Sequence, residues 1–446
     1  MRKGVGQSLA LASLTALAVA LVTTPFGTGA TSKHVTAKAG KVGTARGPRG
    51  PRGKRGLRGH RGYRGFLGAP GVPGAQGAQG PPGASGPPGA SGADRPGFAL
   101  STVDVTGISG AEGALTLGVD GLGLIGYYAS ANADLKVAHC QDMACRTATT
   151  TPIDSPGNVG HGVSIAVGAD GYGLVGFRDE TAGNLEVAHC QNVACSAATT
   201  STLEVGGSDT SVAIGIDGLG LISHQTITSL RVVHCSNVEC SAATGTTVEG
   251  PNVGNFNSIT IGADGLGLIS YRDYQQADLK VAHCSNVACT AVTTATLDSA
   301  GDVGESTSIT VGSDGLGVIA YRDLSNGNLK VAHCSNLLCS AAATATVDSS
   351  GMVGLYNAIT VGSDSLALIS FRDTAAGDLR VAHCSNVACS TATVATVDSA
   401  GDTGFATSIT LGADGFGLVS YWDGTTGSLK VAHCSNVFCV RYFRRR

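Results

Sequence analysis

Three patterns of apolar and polar positions follow one another along the chain. From Leu9 to Val22 the residues read LALASLTALAVALV, behind Arg2 and Lys3 and ahead of the small residues Thr28-Gly29-Ala30. A basic start, an apolar run short of the roughly twenty residues of a bilayer span, and small residues after it form the pattern of an export signal over residues 1–30. The competing reading is an uncleaved anchor, because uncharged residues continue to Ala30. Either way the remainder is expected outside the cytoplasm, secreted or held at a cell surface or matrix, where disulfides persist. From Gly47 to Asp94 glycine then takes every third position for sixteen triplets. Only glycine fits at the axis of three wound polyproline-type chains, so this period predicts a triple helix and a homotrimer. A disordered Gly/Pro linker has no reason to keep a strict period of three.

Beyond Gly97 short apolar runs alternate with Gly, Asp and Ser, and the unit recurs. VAHC or VVHC ends at Cys140, Cys190, Cys235, Cys284, Cys334, Cys384 and Cys434, at intervals of 45 to 50 residues. In the fifth copy SITVG (Ser308 to Gly312) predicts a first strand, and Asp314-Gly315 supplies the positive φ of a hairpin turn. LGVIAY (Leu316 to Tyr321), Asn328 to Cys334 and Ala342 to Val347 predict three more strands, rich in the residues that pleated sheets prefer. Both faces of LGVIAY are apolar or small, as in a sheet sandwiched between neighbours. A period near fifty with four strands suits one propeller blade. The last copy lacks the ATVDS strand, and Thr102-Val103-Asp104 ahead of the first copy matches Thr346-Val347-Asp348. Pairing the two ends closes a ring and removes exposed sheet edges. The predicted fold is all-β: a seven-bladed β-propeller over residues 98–440, closed by strand exchange between its termini, behind a polyproline II triple-helical stalk at 47–94. A basic linker (31–46) and a basic tail (441–446) complete the division.

The sixteen Gly-X-Y triplets resemble the collagen-like proteins of bacteria. Arg49, Arg52, Arg55, Arg58, Arg61 and Arg64 hold six successive Y positions. That resemblance implies that arginine in Y stabilises a triple helix lacking hydroxyproline. The same residues also form a cationic sleeve suited to an anionic envelope polymer, bound through counterion release. Charge is segregated: residues 31–93 carry eleven Lys/Arg and no acid, whereas residues 98–446 carry fifteen Lys/Arg against thirty-one Asp/Glu. Nothing in the sequence indicates a specific nucleic-acid partner.

All fourteen cysteines fall in HC-x4-C, one pair per copy: Cys140/Cys145, Cys190/Cys195, Cys235/Cys240, Cys284/Cys289, Cys334/Cys339, Cys384/Cys389 and Cys434/Cys439. Zinc needs four converging ligands, whereas adjacent His and Cys on a strand point to opposite faces. A disulfide across the hairpin between strands three and four is therefore expected in an exported chain. The preceding histidines, His139 to His433, are expected to bond a neighbouring turn, as in WD-repeat blades.

In such a ring the 2–3 loops and 4–1 connections share one face. The other face here is uniform, made of Asp-Gly turns and Cys pairs. After strand two, four copies read Tyr/Phe-Arg-Asp, expected as structural ion pairs to the next blade. The copies that break the rule supply Tyr128, His224 and Trp422, and the 4–1 connections supply His161, Asn255, Phe256, Tyr356 and Phe405 as ligand-binding candidates. Mixed aromatic and polar groups on one face suit recognition of a glycan or protein. Asp298/Asp302 and Asp398/Asp402 fit Asx turns better than Ca²⁺. Sialidase-like propellers use paired carboxylates and an arginine cluster; no such pair stands out, so neither an enzyme nor a cofactor or metal is expected. In layout the chain resembles collagen-stalked defence lectins. The reading is a trimeric rod displaying heads for adhesion, with a ligand-free structural filament or a sialidase-like glycan-active enzyme as alternatives.

Overall fold

The computed structural model describes residues 97–105 and 112–440. The export signal, linker, Gly-X-Y block with its six arginines, and basic tail lie outside the described residues. Twenty-eight strands form seven four-stranded antiparallel sheets. Blades 1 to 6 occupy 113–154, 159–205, 208–249, 253–298, 303–348 and 353–398, and blade 7 combines 405–434 with 98–104. The innermost strands touch their neighbours all the way round, including β2 (Gly113–Leu117) against β26 (Phe405–Leu411). Among the described residues no helix is long and apolar enough to cross a membrane.

The two ends meet as the repeat pattern predicts. β1 (Phe98–Asp104) is the outer strand of blade 7 and runs antiparallel to β28 (Ser428–Cys434), with Thr102 opposite Lys430. Thr346 faces Lys330 in the same register within blade 5. Gly97 carbonyl accepts from Ser435 N–H, so the chain enters the propeller at the face that carries the disulfides.

The core lies between blades. Leu268, Leu279 and Val281 of blade 4, for example, pack on Val303, Ile309, Ile319 and Tyr321 of blade 5. Four of the seven seams share one latch at the outer side, in which the acid ending strand four of one blade accepts a tyrosine hydroxyl and a lysine from the next. Asp298 takes Tyr321 Oη at 2.7 Å and Lys330 Nζ at 2.5 Å; Asp398 takes Tyr421 Oη and Lys430 Nζ, both at 2.6 Å. Asp104 of β1 takes Tyr127 Oη at 2.6 Å and Lys136 Nζ at 3.5 Å, so the closing strand uses the same device. Burial and the neighbouring carboxylates push these tyrosine hydroxyls far up.

The expected disulfides all form: Cys140–Cys145, Cys190–Cys195, Cys235–Cys240, Cys284–Cys289, Cys334–Cys339, Cys384–Cys389 and Cys434–Cys439, each with 4.8 Å between Cα atoms. Their expected placement across two strands needs correction. The first cysteine of each pair ends strand three, but Cys145, Cys195, Cys240, Cys289, Cys339, Cys389 and Cys439 belong to no strand. Strand four starts only later, at Ala342 after Cys339 for example, and in blade 7 it is β1. The reason is backbone conformation. Each second cysteine has φ between 49° and 52°, which a pleated strand does not allow, and its N–H closes a turn, as Cys339 N–H does on Asn336 carbonyl at 3.0 Å. The bond therefore staples the turn to the end of strand three. Six of the seven histidines bond the Asp of the 1–2 turn through Nε2, at 2.7 Å for His383–Asp364, and His433 Nε2 stands 3.0 Å from Asp414 Oδ2 without hydrogen-bond geometry. The 1–2 turn, third strand and disulfide are thereby tied together on one face.

A strand boundary needs correction as well. The first strand of the fifth copy begins at Val303 rather than Ser308 and runs to Val311. His161, Asn255, Phe256, Tyr356 and Phe405 therefore lie on innermost strands, not in connections. The cause is a bulge: register shifts separate Asn255 from Ser258, Glu305 from Ser308 and Leu355 from Ala358, which breaks the alternation a strand normally shows. A glycine with positive φ precedes it, such as Gly354 at 88°, because a Cβ there would lie 3.0 Å from Leu329 Cα of the preceding blade.

Candidate functional site

The bulges form a ring at the mouth of the central channel, on the face opposite the disulfides. Gly162, Asp209, Phe256, Ser306, Tyr356 and Ala406 occupy equivalent positions, all with φ between 45° and 57°. The left-handed region is costly for bulky side chains, and such strain concentrates at functional sites. Glu112 stands at the corresponding place in blade 1. Together with the following residues Gly113, Val163, Thr210, Asn257, Thr307, Asn357 and Thr407 they line a cavity of about 200 Å³.

Hydrogen bonds run from blade to blade around this rim. Gly162 N–H donates to Glu112 Oε2, Phe256 N–H to Asp209 Oδ2 at 3.0 Å, and Tyr356 N–H to Ser306 Oγ at 3.2 Å. Thr307 Oγ1 donates to Phe256 carbonyl at 2.8 Å and Thr407 Oγ1 to Tyr356 carbonyl at 2.7 Å. Asn257 donates to the Asp209 and Gly254 carbonyls and accepts from Ser223 Oγ at 2.5 Å. Asn357 lacks that last partner: blade 5 has Ala320 where blade 3 has Ser223, and Asn357 Oδ1 is buried without a donor.

The mouth is lopsided. Beside blades 1 to 3 a second cavity of about 240 Å³ is lined by Glu112, His161, Gly162, Arg178, Glu180, Ser208 and Asp209. His161 Nδ1 lies 3.4 Å from Glu112 Oε2, and this bond raises the imidazole pKa against the effect of burial. Burial also raises the Asp209 carboxyl, against the pull of Phe256 N–H. Across the channel the surface is aromatic. Tyr356 and Phe405 rings lie 5.9 Å apart, and the Arg372 guanidinium covers Phe405 at 3.7 Å.

Of the sequence-derived candidates, Phe256 and Tyr356 line the mouth, and His161 lines the adjoining cavity. Tyr128 stacks on His161 at 4.1 Å and bonds Asn158 Oδ1 at 2.6 Å. Phe405 backs Tyr356, and Asn255 pairs with Arg272 beside the bulge. Trp422 sits opposite Phe405 and packs on the blade 1/7 core. His224 does not join them. It holds the latch position of the tyrosines, is fully buried, and bonds Glu204 at 2.7 Å. The repeat break that singled it out is a substitution within a seam. Glu112, Asp209, Asn257, Asn357 and the hydroxyls escaped the sequence reading. Their signal is the second and third positions after the bulge glycine, visible once the copies are aligned on it.

The recurring Arg-Asp pairs divide their work. Arg272 bonds Asp302 at 2.5 Å and Arg372 bonds Asp402, both in connections to the next blade, while Arg322 bonds Glu305 of its own blade at 2.8 Å. The adjacent Asp caps the 2–3 turn, as Asp373 does for Ala375 and Ala376 N–H at 3.0 Å. Asp298 and Asp398 cap Ala300 and Ala400 N–H through Oδ1 in Asx turns. Among the described residues no three His, Cys, Asp or Glu converge on a metal position.

Comparison with known proteins defines the class in two parts. Residues 38–97 match the family described as collagen triple helix repeat (20 copies), so the chain carries a collagen-repeat segment ahead of its β-propeller. No curated protein matches the chain. Several solved structures align with the chain at low identity. A protein of unknown function from Dyadobacter fermentans shares 12% identity over 76% of this chain and all of its own, with a TM-score of 0.47. The Dos1 propeller shares 10% over 75% and 89%, with 0.43. The α-L-arabinofuranosidase Arb93A of Fusarium graminearum shares 10% over 62% and 92%, with 0.42.

Proposed function

We propose that this is an exported, trimeric collagen-stalked recognition protein whose propeller heads bind glycans at the channel mouth. One observation carries the reading. Six bulge residues share one backbone conformation, yet they are Gly, Asp, Phe, Ser, Tyr and Ala, while turns, staples and seams repeat almost unchanged. Divergence on a fixed frame, with aromatic walls and convergent amide, hydroxyl and carboxylate groups, is the composition of a small-ligand site. The mouth also lies on the face away from Gly97, where the chain enters. Trimerisation would raise weak mouth affinity through effective concentration. The basic stalk would add salt-sensitive attachment to an anionic envelope polymer.

The reading is of binding without turnover. Glu112 and Asp209 each spend one oxygen on rim N–H groups, so both carboxylates serve the frame. The test is a glycan array probed with the full chain and with its Tyr356→Ala variant. Binding to a defined glycan set that falls at least tenfold in the variant is expected. A chain that binds no glycan, or binds independently of Tyr356, refutes the mouth as the site and leaves a structural filament.

A further inference from the structure

Three exposed apolar side chains exceed what the repeat places at their positions. Leu100 is 41% exposed on β1 opposite Ala432, a register held in four other blades by Thr150, Thr200, Thr294 and Thr344. Phe438 is 46% exposed in the turn closed by Cys434–Cys439, where four copies have alanine and Leu338 of blade 5 is the other large residue. Met143 is 49% exposed in the corresponding turn of blade 1, where five copies have valine. All three flank the chain entry. Gly97 carbonyl holds Ser435 at the start of the Phe438 turn, β1 begins at the next residue, and Ser101 Oγ reaches Ala144 carbonyl, beside Met143, at 3.5 Å. They form two patches. Phe98 packs on Leu368, Leu379, Val381 and Val397 of blade 6, Leu100 two residues on takes the same side of the strand, and the Phe438 ring meets His383 of blade 6 at 4.7 Å. Met143 lies on the opposite flank, in blade 1.

We infer that three heads of one molecule pack together around their chain entries, the Leu100/Phe438 patch of each against the Met143 patch of the next. The inference rests on the trimeric part of the proposed function and names the surface through which the trimer extends into the heads. What covers the patches follows from the chain that precedes them. A triple helix carries its three chains side by side, and only Arg95 and Pro96 separate the last triplet residue, Asp94, from Gly97. Three residues span at most about 11 Å, whereas a body of the head's length has a radius of gyration of about 20 Å, so heads tethered in this way meet at the surface around Gly97. A closed threefold ring needs two unlike patches related by rotation, and the two flanks of the entry supply them. A foreign partner is disfavoured because two further copies crowd this surface.

A benzophenone photo-cross-linker in place of Phe438 in the full chain tests this, with the particle mass measured by light scattering before irradiation. Covalent dimers and trimers whose adducts map to residues 141–146 of a second copy are expected. The same probe in place of Leu338, 50% exposed in blade 5, should give at least fivefold less. Met143→Lys, a change at an exposed position that should leave thermal unfolding of the head unaltered, should cut the cross-link from position 438 at least fivefold. A trimeric particle that cross-links only within its own chain, inter-chain adducts that map elsewhere, equal yield from position 338, or a yield unaffected by Met143→Lys would overturn the head contact and leave the trimer standing. A particle of one chain's mass would overturn the trimer itself, and this contact with it.

Discussion

The seam between blades 1 and 2 is the one place where the latch chemistry is reversed, and it allows the strongest test of the fold's energetics. Elsewhere the acid ending strand four meets a Lys or Arg of the next blade: Lys136, Arg231, Lys280, Lys330, Arg380 and Lys430. Blade 2 instead places Phe177 and Glu186 against Asp154. Glu186 accepts from Thr202 Oγ1 at 2.8 Å and stands beside the carboxylates of Asp154 and Asp179. Burial raises the carboxyls of both Asp154 and Glu186, and the surrounding acids raise them further. At Glu204, by contrast, burial pushes upward but is outweighed by bonds from His224 and Arg231, which hold the carboxyl at about 2. Glu186→Lys should restore the cation. A hydrogen bond to a charged group contributes about 1.5–3 kcal/mol, so the gain at pH 7 is of that order. For a domain of this size that raises Tm by about 2–4 °C.

The sign with pH follows from linkage. A carboxyl raised in the folded state favours its protonated form, so the wild-type seam is penalised above the folded pKa and relieved as pH falls through it. The advantage of Glu186→Lys should therefore be largest near pH 7 and shrink by pH 4. Thermal unfolding at both pH values, with Glu186→Gln expected to fall between wild type and Glu186→Lys, measures it. An unchanged or lower Tm at pH 7, or a gain that persists unaltered at pH 4, would refute the seam argument.

Two further substitutions probe the frame. Asp104→Ala removes the acid that takes Tyr127 and Lys136 at the ring closure, and stranding a mostly buried cation should cost about 3 kcal/mol, read as a lower Tm and earlier proteolysis at β1. Gly354→Ala combines φ of 88° with a Cβ 3.0 Å from Leu329 Cα and should cost about 1–3 kcal/mol in chemical denaturation, whereas Gly183→Ala, with no atom near its Cβ, should cost less.

The ring, its strand order and its closure were legible because each follows from local signals repeated seven times: Asp-Gly turns, Val/Ile-rich runs and the VAHC landmark. Each disulfide was legible because its partners lie five residues apart and recur in register. Its placement was not, because the left-handed backbone at Cys339 and its six equivalents leaves no mark on a Cys-x4-Cys spacing. The mouth was only half legible. Phe256 and Tyr356 were legible as varied residues but were assigned to connections, because the bulge erases the period-two alternation that marks a strand and the preceding glycine reads as a loop. His224 stood out for the wrong reason. A hydrogen-bonding side chain at the tyrosine position preserves a seam with Glu204, and no sequence pattern separates that swap from a change made for a ligand.

The copies act as one another's controls, and this sorts their differences into two kinds. At the seams a change in one partner is answered in the other: His224 and Arg231 share Glu204 as Tyr271 and Lys280 share Glu249. Glu186 is an uncompensated exception, and its expected consequence is stability alone. At the mouth the changes are not answered. Ala320 leaves Asn357 without the donor that Ser223 gives Asn257, and among the described residues no neighbouring side chain supplies one. Asn357 Oδ1 is itself buried, so this unanswered change, like Glu186, bears on stability. The residues that do vary on a fixed backbone are those of the bulge ring, where Gly162, Asp209, Phe256, Ser306, Tyr356 and Ala406 share one conformation, and it is there that the proposed binding site is placed.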